Sequence, residues 1–282
     1  MQNRKFWSIG LLILVCAMLL VGLQRIQTIE TSEMTEMTEM TEQEADVSDP
    51  LKEAEQQLDA LVAIGKAVTS DPFRITLKWQ GDWDSLLSSE EAAGVLASRL
   101  GLSHPERGVV QGRTVYESQG QIEGIHAELE LVTLEEGKHY AILRLEAAGE
   151  DSALWKQLQE AQRMAGESLA DEGVDPRWNA AIQGMAWPSS VTEEGESSGE
   201  TVLAATLDRL ESQVERSAKL KLKQVETFGD EGTASRTYRV DALPITVLSG
   251  EHQVALQMAV HRNSDTGMDE ITIGMPLLTV EY

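Results

Sequence analysis

The sequence has one cysteine, Cys16, so no disulfide can form within the chain. That absence is compatible with a bacterial domain outside the cytoplasm. Bases are scarce: 23 Lys and Arg stand against 47 Asp and Glu, a formal net charge of −24. Three of the bases (Arg4, Lys5, Arg25) fall in residues 1–25, which hold no acid, so the remainder is more acidic still. Nucleic-acid affinity rests largely on Lys and Arg displacing counterions from phosphates. A body of this sign repels phosphates and suits a soluble surface or a basic partner; no nucleic-acid partner is expected. The marks of common catalysts are missing too: there is no His-Glu-x-x-His, Walker loop, Gly-x-Ser-x-Gly or Cys-x-x-Cys. Five histidines lie scattered at 104, 126, 139, 252 and 261. The expectation is a non-enzymatic chain with no catalytic residue, metal or cofactor.

Long apolar runs are absent save one. Phe6–Leu23 is uncharged, and as a helix it reaches roughly 27 Å, close to the hydrocarbon thickness of a bilayer. Arg4 and Lys5 precede it, and after Arg25 no base occurs before Lys52. Positive-inside bias then keeps the N-terminus in the cytoplasm and sends the rest outside as a single-pass membrane protein. The rival reading is a cleaved signal peptide and a secreted chain, but no Ala-x-Ala-like site follows the run. A lipoprotein reading of Cys16 fails on the bulk of Val15. Residues 1–25 are therefore read as an anchor or signal segment. Residues 26–50, with the Met-Thr-Glu repeat "EMTEMTEMTEQEADVSD", are read as an acidic spacer too polar to order itself.

What is present after residue 50 is an order of elements written twice. Asp49-Pro50 is an N-cap with proline at the first helical position, opening a helix to about Ser70. "DPFRITLKWQGDW" (71–83) follows as a strand with Phe73, Ile75, Leu77 and Trp79 on one face. Ser88 and Glu91 form a capping-box pair for a helix to about Leu100. Three strands are expected near 107–117, 122–134 and 138–147, with "EEGK" (135–138) as a hairpin loop and "GQIEG" (120–124) as a turn. The order restarts with a helix from Ser152. "DPRWNAAIQGMAW" (175–187) then repeats the Asp-Pro, the Gln-Gly and the closing Trp of the first strand. A helix with Leu203, Leu207, Leu210 and Val214 on one stripe follows, then strands near 219–228, 234–242, 252–262 and 270–281. The domains are thus 51–150 and 151–282, two α+β modules of helix, strand, helix and antiparallel meander. They should share one curved antiparallel sheet, with helices on its convex face and a pseudo-twofold near the two repeated strands. Asp-Pro breaks the preceding helix, Gln-Gly gives a bend or bulge where a side chain would obstruct, and each closing Trp packs on the core.

One sheet face then stays wet. "IHAELELVT" alternates Ile125, Ala127, Leu129 and Leu131 with His126, Glu128 and Glu130. The candidate partner-binding face comprises His126, Glu128, Glu130, Arg144, Glu146, Gln257 and His261, for a protein, peptide or cell-envelope component. The alternative is a metal-dependent envelope enzyme in which His126, Glu128 and Glu130 meet His261 from a neighbouring strand. His252 and His261, nine apart, would point to opposite faces of an unbroken strand. The lysines of "KLKLK" (219, 221, 223) read as the solvated face of one strand.

The C-terminal "ITIGMPLLTVEY" (Ile271–Tyr282), with the duplicated order and the apolar N-terminal run, resembles the YwmB family of Gram-positive bacteria. The resemblance spans roughly residues 51–282 and is strongest in the last dozen. It implies a TATA-box-binding-protein-like fold and carries no catalytic or ligand residue with it. A DNA-opening saddle needs basic side chains and apolar wedges. This face offers glutamates at 128, 130 and 146 against Arg144, and the chain has only three Phe.

Overall fold

A computed structural model describes residues 49–70, 72–135, 137–187, 199–263 and 266–278. The apolar run Phe6–Leu23 and the spacer up to residue 48 lie outside them, as does Asp71 of the first Asp-Pro. Among the described residues no helix is long and apolar enough to cross a membrane.

The chain is α+β: among the described residues there are four helices and one large antiparallel sheet. The first half runs α1 (Pro50–Val68), β1 (Phe73–Asp84), α2 (Ser89–Arg99), β2 (Glu106–Val110), β3 (Arg113–Ile122), β4 (Ile125–Glu135) and β5 (Lys138–Gly149). The second runs α3 (Ser152–Asp171), β6 (Arg177–Met185), α4 (Gly199–Ala218), β7 (Lys223–Gly229) and β8 (Thr233–Arg239), then a hairpin of β9 (Val247–Ser249) and β10 (His252–Val254), then β11 (Leu256–Arg262) and β12 (Asp269–Met275). The ten-stranded order is β2-β3-β4-β5-β1-β6-β12-β11-β8-β7. Read outward from the β1–β6 pair, both sides give the first strand of their half and then its meander in reverse. The β9–β10 hairpin is the second half's own addition.

Local chemistry starts the helices where the sequence places them. The Asp49 carboxylate accepts from the Leu51 N–H, Ser88 and Glu91 form a reciprocal capping box, and Asp151 caps the helix that Ser152 begins. All four helices bury their apolar stripes against one sheet face in a single core. Phe73, Ile75, Leu77 and Trp79 face it from β1, and Trp178, Ala180 and Ile182 from β6. Burying each large side chain contributes roughly 1.5–3 kcal/mol before entropy is counted. At the seam Trp79 stands opposite Trp178. Both indoles donate to Gln162, one to its backbone oxygen and one to its side-chain oxygen, each at 2.9 Å. That keeps two buried N–H groups satisfied.

The repeat itself needs one correction. The β1–β6 ladder is centred on the Leu77–Ala180 pair. A twofold through that pair carries each β1 residue onto the β6 residue 103 positions later, so Gly81 falls on Gly184. The Gln-Gly pairs keep this spacing, whereas the Asp-Pro and Trp matches are 104 apart. Side chains alternate faces along a strand, so a slip of one residue turns the match to the other side. Trp83 is accordingly buried beside His139, at 4% exposure, while Trp187 is 47% exposed. Ala186, not Trp187, takes the place of Trp83 in the core.

The two glycines do share one job, and it is clearance rather than bulging, since the β1 ladders run through without a shift. A Cβ on Gly81 would lie 1.9 Å from the Asp175 carbonyl oxygen; one on Gly184 would lie 2.8 Å from Thr69 Cγ2. Each glycine admits the segment leading into the other half's first strand. Paired hydrogen bonds close these crossings: Asp175 N–H to Asp82 O and Ser70 N–H to Met185 O, both at 3.0 Å.

Other boundaries differ from expectation for local reasons. The run expected at 107–117 is a hairpin of β2 and β3, turned by Gln111 (φ 49°) and Gly112 (φ 80°). Of "GQIEG" only Glu123 and Gly124 lie in the turn; Gly120 is inside β3. The run at 252–262 breaks at Ala255, so His252 sits in the separate hairpin. Of the three lysines only Lys223 is in a strand, where it pairs with Asp241 at 2.6 Å. The last strand stops at Met275 instead of reaching 281.

Candidate functional site

Among the described residues the helices are all on one side, the other sheet face carries none and is called the open face, and register fixes what meets there. In the first half, rows of Cα partners cross the strands. Glu106, Glu117, Glu130, Ile142 and Gln80 form one row; Gln119, Glu128, Arg144, Lys78 and Asn179 form the next; Gln121, His126, Glu146, Thr76 and Ala181 form a third. The strand alternation around His126, Glu128 and Glu130 therefore holds, with Ile125, Ala127, Leu129 and Leu131 buried under the helices.

Five of the seven candidate residues come together. His126 Nε2 lies 3.1 Å from Glu128 Oε1, the Arg144 guanidinium donates to Glu128 Oε2, and Arg144 Nη1 lies 3.5 Å from Glu146. Burial works to raise the Glu128 pKa, but Arg144 and, less so, His126 outweigh it and hold the carboxylate below its usual range. Glu130 goes the other way. Burial pushes its pKa up and the facing Glu117 adds to that, against the pull of Arg144 and Lys78. Val115, Val132, Tyr140 and Ile142 form a small apolar cluster on the same open face, which helps desolvate that end.

Gln257 and His261 do not join them. Both lie on β11, and four strands separate β11 from β4, a span of about 24 Å at the usual strand spacing. The expected neighbouring-strand approach of His261 to His126 is therefore incorrect. His261 sits beside Thr233, its Nδ1 at 3.1 Å from the hydroxyl, and Gln257 accepts from the Leu278 N–H. Among the described residues no three His, Cys, Asp or Glu side chains gather as a metal set.

Lys78 is the residue the sequence reading missed. It lies beside Arg144 in the floor of the site at 8% exposure. Burial first, then the neighbouring Arg144, lowers its pKa, with Glu130 and Glu146 opposing. The signal was in β1 itself: Arg74, Thr76, Lys78 and Gln80 alternate with the core residues and so face the open side.

The second half's open face is built differently. After Met275 the chain turns back, and residues 276–278 lie over the sheet. Asn179 Nδ2 donates to the Leu277 carbonyl at 2.9 Å, and the Leu278 N–H donates to Gln257 at 3.2 Å. A Cβ on Gly274 would come within 2.7 Å of the Leu277 and Leu278 backbone. "GMPLL", the middle of the C-terminal motif, is thus a strap across the sheet, with glycine beneath it.

No protein-family model matches the chain, and no curated protein sequence matches it. Solved structures give distant likenesses. DynU16, from the dynemicin biosynthetic locus, is 9% identical over 71% of this chain and 86% of its own, with a TM-score of 0.18. The dehydratase domain of PpsC from Mycobacterium tuberculosis, in complex with C12:1-CoA, is 10% identical over 80% and 84%, with a TM-score of 0.20.

Proposed function

We propose that this chain is a membrane-anchored, extracytoplasmic binding domain of the YwmB type. It has a TATA-box-binding-protein-like saddle and no catalytic role, and it takes a basic protein or peptide of the cell envelope on the open face of its first half. The anchor rests on the uncharged Phe6–Leu23 run and its flanking bases. The binding face rests on one observation above all. Glu106, Glu117 and Glu130 stand directly opposite one another across three adjacent strands, an arrangement that like-charge repulsion disfavours. A cationic partner laid along this row relieves that repulsion. The half-buried Glu130 gives it a partly desolvated anchor point, where an ion pair is worth more than at a fully wet surface.

The test is capture of cell-envelope proteins by the chain and by a Glu117→Gln, Glu130→Gln variant. These substitutions leave the Glu128–Arg144 pair in place. The variant is expected to lose the native chain's basic partners, and undiminished capture would remove this face from the reading. A reporter-fusion topology map that returned a cytoplasmic C-terminus would remove the placement.

A further inference from the structure

The strap lies where the two halves differ most. Register about the Leu77–Ala180 twofold makes Arg144 equivalent to Gly274, Lys78 to Ala181, Glu130 to Ala259 and Glu128 to Gln257. The first half fills its open face with long charged side chains. The second replaces them with a trough of small residues, in which Ala181, Ala259 and Thr272 are all at 2% exposure or less.

The trough is not merely empty of bulk, because it already holds a peptide. Residues 276–278 belong to no strand. Their backbone is read by two side chains from different strands: Asn179 of β6 takes the Leu277 carbonyl, and Gln257 of β11 takes the next N–H. Leu277 and Leu278 are only half-buried and belong to neither apolar cluster. The grip is thus on the backbone, and the two residues it holds are leucines.

We propose that this trough is a peptide-binding site carrying its own ligand, the C-terminal strap, and that an extended apolar peptide from outside exchanges with it. Asn179 and Gln257 select a carbonyl followed by a free N–H, which excludes proline at the second position. The proposal is independent of the acidic row, which lies in the other half.

The test weakens the strap without touching the trough. In the full chain Leu278→Pro removes the N–H that Gln257 accepts. A fluorescent peptide of residues 275–282 is then titrated by anisotropy. The Leu278→Pro chain is expected to bind it about fivefold to tenfold more tightly than the native chain, the value of one hydrogen bond. The same peptide carrying Leu278→Pro should lose most of that gain, since it has no N–H to offer Gln257. Equal binding by the native and Leu278→Pro chains, or a gain indifferent to proline in the peptide, overturns the proposal. Amide exchange supplies a second readout in the full chain. Asn179→Ala should speed exchange at Leu278 while Val260 and Ile273 stay protected. A common loss at all three would make the strap part of the global fold and sink the idea.

Discussion

The two halves share one sheet, one core and one order of elements, and yet their open faces have opposite textures. In the first half, Arg144, Lys78, Glu128 and Glu130 crowd positions that Gly274, Ala181, Gln257 and Ala259 occupy in the second. The helix side has diverged less in kind: Trp79 opposite Trp178 is matched across the twofold by Ile75 opposite Ile182. A core tolerates exchange of apolar shapes as long as volume and pattern are kept. An open face carries no such constraint, so that is where duplicates part company.

The contrast between the repeated tryptophans offers the largest test. Trp83→Ala should cost about 3–5 kcal/mol, because it empties a buried site. Trp187→Ala should change stability by no more than about 0.5 kcal/mol. Urea unfolding of the two variants decides it, and equal losses would put the one-residue phase shift in error. The glycines come next. Gly81→Ala drives a methyl into the Asp175 backbone carbonyl, which has nowhere to rotate, and should cost about 2–3 kcal/mol. Gly184→Ala meets a Thr69 methyl group and should cost about 1 kcal/mol. The reverse ranking would mean the two crossings are not equivalents of unequal tightness.

Charge gives the smallest effect. Glu130 is raised in the folded chain by burial and by Glu117. A carboxyl raised on folding binds more protons in the native than in the unfolded state. Stability therefore falls as pH climbs from the ordinary Glu range through the raised value, and below that window the penalty is absent. Glu130→Gln should stabilise the chain by less than about 1 kcal/mol at neutral pH, with the gain vanishing in acid. A gain that persists at low pH would trace to packing instead.

Much of the architecture was legible from residue patterns. Caps at Asp49 and Ser88, the alternation at 125–131 and the duplicated order all act locally, within a helical turn or a strand pair. The phase of the repeat was harder to read, because two anchors (Asp-Pro and Trp) agreed on a spacing of 104 while Gln-Gly alone kept the true one. The misplacement of His261 has another origin. Only the full strand order separates β4 from β11, and nothing in either strand encodes that distance. The strap was hidden because "MPLL" reads as a continuation of β12. Gly274 and Pro276 were the available hints, and their meaning depends on what lies overhead.

The seam at Leu77–Ala180 has a consequence for origin. A lone half ending near residue 150 would expose β1 as a bare sheet edge, and the twofold already describes how that edge meets its own copy in an isologous dimer. Such an ancestor must carry identical faces on both subunits. Fusion into one polypeptide lifts that obligation, so one copy can keep its charges while its twin surrenders them to make room for a tail.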